Sequence, residues 1–421
     1  MQALLVAVQL SRGKSVWTVE DSLTELAELA RTGGYEAARH IIQVRESPHP
    51  TFYVGEGKME EIKTFLKETD IKLVIIDDEI SPAQSKHIEQ YLQVKVIDRT
   101  GLILDIFAKN ARTSEAKLQV EMAQLEYLYP RLTRLWTHLS RLGGGIGTRG
   151  PGEKQLEVDK RQIQTRIETI KEKLEKIKSH RIVVRHQRDN VPTLSAAIIG
   201  YTNAGKSTLI NAITKADVLT ENKLFATLDP TSKRLDLPNK DLLIVTDTVG
   251  FIQKLPHQLV SSFRATLEEV THTDFLLHVV DISHPKHEVF IQTAHEILHS
   301  LGADDMPQLY IFNKADLIAD PQQIATTLER YQPNVLISAL SGDNLSGLLE
   351  AIMALLAPHR PKMTFTIPYS EMSWVPILHE MADVHTEHYT EDGVCIEATL
   401  QTILGDKILH ALGIQSLPNR P

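Results

Sequence analysis

The chain has 421 residues, with 45 Lys+Arg against 54 Asp+Glu and a formal net charge of −9. That length predicts two to four domains, because single cores seldom grow beyond about 250 residues. A hydrophobic fraction of 42% with 24% charged residues excludes intrinsic disorder and collagen-like structure, no run of about 18 apolar residues is present to span a membrane, and the single cysteine, Cys395, excludes an internal disulfide framework and a thiolate-rich zinc site. The acidic average argues against a protein that simply coats nucleic acid.

The N-terminal MQALLVAVQLSRGKSVW has neither a basic leader nor a small-residue cleavage signal, so it reads as a strand and the chain is expected in the cytoplasm. Residues 1–114 predict a small α/β domain. Leu4–Leu10 is a strand, and Ser22 to Gly34 is a helix with an N-cap at Ser22 and a Gly stop. A strand follows near Ile41, then a helix in GKMEEIKTFLKET, a wholly apolar strand in KLVIIDD (Lys72–Asp78), a helix opened by Ser81-Pro82, and a strand in VKVID. Alternating β and α elements predict a parallel sheet, and this domain carries no catalytic constellation of its own.

Residues 115–190 change character. Apolar residues recur at Leu118, Met122, Leu125, Tyr129, Leu132 and Trp136, and again at Ile163, Ile167, Ile170, Leu174 and Ile177. Both runs have heptad-like spacing and predict an antiparallel helical hairpin, with Pro130 kinking or interrupting its first helix. The tip, LGGGIGTRGPGE, holds Gly143, Gly144 and Gly145 with Arg141 and Arg149 beside them. Gly145, Gly147 and Gly150 match the dinucleotide spacing GxGxxG, but that fingerprint needs a preceding strand and a following helix. Here a helix precedes and Pro151 follows, so the glycines read as a permissive loop. From Lys109 to Asp189 the chain has 18 basic and 10 acidic residues, a local +8 that leaves −17 elsewhere. That excess marks Arg141, Gly143, Gly144, Gly145 and Arg149 as candidates for RNA contact.

Residues 191–360 carry the strongest signal. An apolar strand runs into Gly200-Tyr201-Thr202-Asn203-Ala204-Gly205-Lys206-Ser207 and a helix beginning near Thr208. This is GxxxxGK[ST] in strand–loop–helix context, in which backbone N–H groups and a helix N-terminus bind phosphate. Lys206 is expected on the β- and γ-phosphates and Ser207 on Mg²⁺. Asp247 ends the next apolar strand, placed to hold the Mg²⁺ hydration shell, and Gly250 can present its N–H to a γ-phosphate. Between them, Thr227 and Thr231 compete for the Mg²⁺-sensing threonine, and spacing leaves the choice open. Asn313-Lys314-Ala315-Asp316 follows a further strand. The Asp316 carboxylate can accept from guanine N1–H and the exocyclic amine, which adenine does not offer in that arrangement. Asn313 suits guanine N7 and O6, the Lys314 stem can cover the base plane, and a backbone N–H of Ser338-Ala339-Leu340 can donate to O6. Together these motifs predict a GTPase that binds GTP and GDP, with Lys206, Gly250 and one of the two threonines, Thr227 or Thr231, the candidate catalytic positions.

The series GYTNAGKST, LFATLDPT, DTVGFI, NKAD and SAL resembles the translation-factor-related GTPases, and the Obg–HflX group in particular. GGGIGTRGPGE, the segment VIDRTGLILDIFAKNARTSEAKLQVEMAQLEYL before it, YVGEGK at Tyr53–Lys58 and SPAQ at Ser81–Gln84 are similar to the HflX GTPases. The resemblance covers about residues 40 to 360. It implies a GTPase that engages the large ribosomal subunit and separates stalled ribosomes under stress. By position in the family motif it makes Thr227 the switch threonine, and it places Phe225, Ala226, Leu228, Asp229, Thr248 and Val249 around the nucleotide. In potassium-activated relatives an Asn at the place of Asn203 helps ligate K⁺, so K⁺ joins Mg²⁺ as a cofactor candidate; a loop-tying role for Asn203 is the alternative. Phe251 stands where Ras-like enzymes carry a water-orienting Gln, and predicts slow intrinsic turnover.

Residues 361–421 predict a small α+β domain, with a strand, a short helix, a hairpin turning at Asp392-Gly393 and a final helix. His379, His385 and His388 lack the acidic or Cys partners that ligand spacing needs. The whole predicts an α/β chain: an N-terminal α/β domain, a hairpin, a P-loop GTPase domain and an α+β appendage, expected to act as a monomer. Nucleotide-dependent RNA remodelling and a switch that recruits a protein partner remain the alternative functions.

Overall fold

The computed structural model describes residues 1–11, 17–135, 151–188, 194–214, 224–225, 231–254, 270–318 and 322–412. The chain forms two compact units. The first holds Met1–Arg181 with Glu221–Asp229 and Val249–Leu267, and the second holds Ile182–Thr220, Pro230–Thr248 and Glu268–Pro421.

The first unit alternates β1 (Gln2–Leu10), α1 (Val19–Gly33), β2 (Glu36–Arg45), α2 (Glu56–Glu68), β3 (Leu73–Ile76), α3 (Pro82–Leu92), β4 (Lys95–Asp98) and α4 (Arg99–Asn110). Its sheet has the order β2-β1-β3-β4 and every pairing is parallel. Leu23, Leu26, Leu29 and Ala30 put one stripe of α1 into the core. The helix starts earlier than the sequence suggests. Thr18, not Ser22, is the N-cap, forming a reciprocal capping box with Asp21 that contributes about 1 kcal/mol. Ser22 lies inside the helix, where its hydroxyl donates to Asp77 at 2.6 Å. Gly34 ends α1 at φ 87°, a conformation that favours glycine. Helix α4 escapes the sequence reading. Its Leu102-Ile103-Leu104 run is too continuous to show a helical period, yet Asp98 caps it by accepting from Gly101 N–H at 2.8 Å.

Helix α5 (Ser114–Leu135) continues through Pro130 without interruption, and α6 spans Pro151–Arg188. The gap between them, with Arg141, the glycines and Arg149, lies outside the described residues. On α6, Ile163, Ile167, Leu174 and Ile177 are half-buried and Ile170 is fully buried, while their neighbours are mostly exposed. The helices are joined by Arg166, which holds Glu121 at 2.6 and 2.9 Å, and by Lys171 to Glu126 at 3.3 Å. A second stripe of α5, Ala116, Val120 and Ala123, is buried as well.

The second unit continues with β5 (Leu194–Gly200), α7 (Lys206–Thr214), β6 (Thr231–Asp236), β7 (Leu242–Asp247), β8 (Phe275–Asp281), α8 (His287–Leu301), β9 (Gln308–Asn313), α9 (Gln322–Arg330), β10 (Asn334–Leu336) and α10 (Leu345–Leu356). Its sheet order is β10-β9-β8-β5-β7-β6, parallel except for the edge strand β6. Leu277 and Val279 face one core with Leu209 and Leu348, and Val280 faces another with Ile291 and Phe312. Strands buried on both faces explain the apolar runs in the sequence.

The chain ends in β11 (Lys362–Ile367), α11 (Trp374–Met381), β12 (Asp383–Thr390), β13 (Gly393–Thr399) and α12 (Thr402–Ala411), with an antiparallel sheet ordered β11-β13-β12. Its hairpin turn is Glu391-Asp392, one residue earlier than expected, because Gly393 already pairs with Thr390. Arg360 ties this sheet to the rest of the unit through Asp241 at 2.7 Å and Asp383 at 3.0 Å.

The first unit's core holds a buried ionic cluster. The guanidinium of Arg99, 1% exposed, binds Asp77 at 2.9 Å and also Glu25. Truncation leaves two buried carboxylates short of their counter-ion, so Arg99→Ala is expected to destabilise this unit by about 3–5 kcal/mol. Urea unfolding checks it, and a loss within error of wild type refutes it.

Candidate nucleotide site

The loop between β5 and α7 owes its path to backbone freedom at two glycines. Gly200 has φ 145°, and a Cβ there would stand 2.1 Å from the Val279 carbonyl oxygen. Gly205 has φ 93°, and a Cβ there would stand 2.3 Å from Asn313 Nδ2. Lys206 opens α7, and its buried ammonium donates to Gly200 O at 3.0 Å and Tyr201 O at 2.8 Å. Burial pushes it down to about 8, with Asp247 pulling the other way. Tyr201 is buried, its ring stacked on Phe290 at 4.0 Å. Thr202 and Ala204 are buried, Ser207 and Thr208 half-buried, and Asn203 is exposed at φ 62°.

Ser207 Oγ donates to Asp247 Oδ2 at 3.1 Å, bringing a helix N-terminus and a strand end together. Hydroxyl and carboxylate are the hard oxygen donors that Mg²⁺ takes, so the pair fits that ion. Thr248 uses its hydroxyl on Ile198 O at 2.6 Å, a tie between strands β7 and β5. Asn313 is tied within the protein. One Nδ2–H donates to Ala204 O and Oδ1 accepts from Ala339 N–H, both at 2.9 Å, so the amide joins the phosphate loop to the Ser338-Ala339-Leu340 segment. The Ala339 N–H, a candidate donor to guanine O6, is thereby engaged within the protein, and Ser338 N–H donates to Asp343 O. Asp316 is exposed in a short turn with Ala315, and Leu340 is 83% exposed. Lys314 sits in the left-handed region at φ 67°.

Phe225, Val249 and Gly250 belong to the first unit. Phe225 is buried edge-on against Phe107 at 4.7 Å, and its carbonyl accepts from Asn110 at 2.8 Å. Phe251 and Ile252 are each 1% exposed. Lys254 binds Asp77 and Asp78, each at 2.6 Å. Sequence reasoning missed Lys254 and Asn110, since no motif flags a lysine four residues past Gly250 or an Asn ending α4. Ala226, Thr227, Leu228 and Asp229 lie outside the described residues. Thr231, the other candidate threonine, opens β6.

A Gly-containing loop between a central parallel strand and a helix, a lysine and a hydroxyl at the helix start, and an Asp ending the strand paired beside it define a P-loop nucleotide-hydrolase domain. Three family models match in succession: the GTP-binding GTPase N-terminal region over residues 20–108, the GTP-binding GTPase middle region over 110–188 and the 50S ribosome-binding GTPase over 195–314. The chain is 46% identical over 377 residues to the GTPase HflX of Lacrimispora saccharolytica, covering 90% of this chain and 89% of that protein. It is 41% identical over 393 residues to the GTPase HflX of Escherichia coli K12, covering 93% and 91%. A solved GTP-binding protein of Sulfolobus solfataricus in complex with GDP is 26% identical, with 84% of this chain and 98% of that chain covered and a TM-score of 0.46. The chain belongs to the HflX GTPase family, and its chemistry is hydrolysis of GTP to GDP and phosphate. Among the described residues no helix is long and apolar enough to cross a membrane.

Two outcomes follow from this geometry. Phosphate binding needs the Lys206 ammonium charged, and a folded-state value lowered to about 8 means that charge is lost as pH rises through about 8. GDP affinity is therefore expected to weaken above about pH 8, approaching about tenfold per unit, and to be flat with pH in Lys206→Met. Equilibrium titrations across that range check it. Gly205→Ala must displace Asn313, and is expected to weaken GDP binding by about tenfold or more while the thermal transition of the first unit stays in place.

Proposed function

We propose that this protein is a GTP-driven factor that binds the large ribosomal subunit and splits or rescues stalled ribosomes under stress. The observation that carries this reading is the +8 segment between Lys109 and Asp189, set directly before a domain that matches the 50S ribosome-binding GTPase model. The sequence between α5 and α6 holds Arg141, Arg149 and three adjacent glycines, a composition in which cations and close backbone approach suit phosphates and unstacked bases of RNA. The protein works in the cytoplasm as a monomer, in part bound to ribosomes.

At the nucleotide, Gly200 to Thr208 wrap the phosphates, Lys206 holds the β- and γ-phosphates, and Asp316 with Lys314 reads guanine. Ser207, Thr227 and Asp247 would hold Mg²⁺, which would neutralise phosphate charge; Asn203 is the candidate residue for K⁺, with tying the loop together as its alternative role. Gly250 and Thr227 respond to the γ-phosphate. Phe251 is fully buried, and a phenyl ring neither donates to nor accepts from an attacking water. Intrinsic turnover is therefore slow, and the ribosome supplies or orders the missing group.

Co-sedimentation with isolated subunits tests the proposal. Binding to large subunits is expected with a GTP analogue and to fall with GDP. The double variant Arg141→Ala, Arg149→Ala should lose about tenfold in ribosome affinity with GTP affinity unchanged, and equal loss of both overturns it. GTP hydrolysis that is as fast alone as with large subunits refutes the role given to Phe251. Capture of a protein with no RNA requirement favours the protein-recruiting switch, and strand separation driven by nucleotide favours RNA remodelling.

A further inference from the structure

We propose that Asp281 is a positioning residue for guanine recognition, acting by anchoring the ammonium of Lys314 so that its stem is laid out as a plate for the base. Asp281 ends β8 and pairs in register with Asn313, the last residue of β9. Its Oδ2 accepts from Lys314 Nζ at 2.6 Å, with the two side chains 16% and 26% exposed. Its Oδ1 accepts from Ser283 N–H at 3.1 Å and Ser283 Oγ at 2.5 Å, so the carboxylate is itself fixed. Ile282 N–H donates to Asn313 O at 3.1 Å, locking the two strand ends together. Lys314 thus has its backbone held by a pinned neighbour, in the left-handed region, and its far end held by Asp281.

A free lysine loses side-chain entropy when its stem is ordered against a ligand. Anchoring the ammonium beforehand removes part of that cost from binding. The contact to the base is through methylenes and is blind to the exocyclic amine, whereas Asp316 reads that amine. Loss of Asp281 should therefore weaken guanine and hypoxanthine nucleotides alike. This rests on the assignment of Asn313-Lys314-Ala315-Asp316 to the base.

The test measures GDP and IDP dissociation constants on the full chain for wild type, Asp281→Asn, Asp281→Glu, Lys314→Met, the double Asp281→Asn, Lys314→Met, and Asp316→Asn. Asp281→Asn should weaken both nucleotides by the same factor, about tenfold, and Asp281→Glu should recover part of it. In the Lys314→Met background, which keeps the stem and removes the ammonium, Asp281→Asn should add less than about twofold. The proposal is overturned by unchanged binding or by tighter binding, which would mean that Asp281 holds Lys314 away from the base. A full loss persisting in the Lys314→Met background also overturns it, as a purely structural effect. Asp316→Asn separates the underlying assignment: if GDP affinity survives there while IDP matches GDP, the base-reading motif itself is wrong.

Discussion

The loop end of the second unit depends on one carboxamide. Asn313 is 3% exposed, and its planar amide offers a donor and an acceptor in fixed relation. The donor takes Ala204 O in the phosphate loop and the acceptor takes Ala339 N–H, so three loops that follow three different strands share one rigid group. An unmet partner in this setting would cost about 1–3 kcal/mol. The same amide explains Gly205. The sequence makes that glycine a phosphate-wrapping residue, and the structure adds a second demand, since any Cβ there would meet Asn313 Nδ2. The motif glycine serves the base-side loop as much as the phosphate side.

A second constraint lies where the chain passes between units. Thr248 is tied to β5 through Ile198 O, and the next residue, Val249, already belongs to the first unit. Glu221–Asp229 belongs there as well. The described residues of these segments are packed into that unit. Phe225 is set against Phe107, Phe251 and Ile252 are buried, and Lys254 lies on a carboxylate, Asp77, that is wholly buried and shared with Arg99 and Ser22. Any rearrangement of Phe225, Phe251, Ile252 or Lys254 has to exchange buried contacts of the N-terminal core.

How legible this was follows from chemistry. The phosphate loop, Asp247 and NKAD stand out because each puts residues with exacting jobs at the end of an apolar strand, and the parallel sheet of the first unit was foreseeable from alternating elements. Helix α4 was hidden because Leu102-Ile103-Leu104 is buried on every side and shows no period. Thr18 lost to Ser22 as the expected cap because both offer a hydroxyl, and only the Asp21 reciprocal bond decides. Asp281 carries no motif at all. It becomes visible only when β8 and β9 pair and bring it level with Asn313. Pairings between strands distant in sequence, and contacts of Lys254 with residues 177 and 176 positions earlier, have no linear signature.

The charges of the α5–α6 segment are unevenly engaged. Arg166 with Glu121 and Lys171 with Glu126 each cancel within the segment, so they leave its +8 untouched. Arg131 is directed inward to Asp98 at 2.9 Å and removes one positive charge from the surface. The surplus must then sit elsewhere. Between Arg134 and Lys154 four basic residues, with Arg141 and Arg149, face a single acidic one, Glu153. Lys173 to Arg188 holds six basic residues against Glu175 alone, a net +5 that exceeds the +3 from Arg134 to Lys154, so the excess is spread over both stretches, while Arg166 and Lys171 are occupied with holding α5 and α6 together.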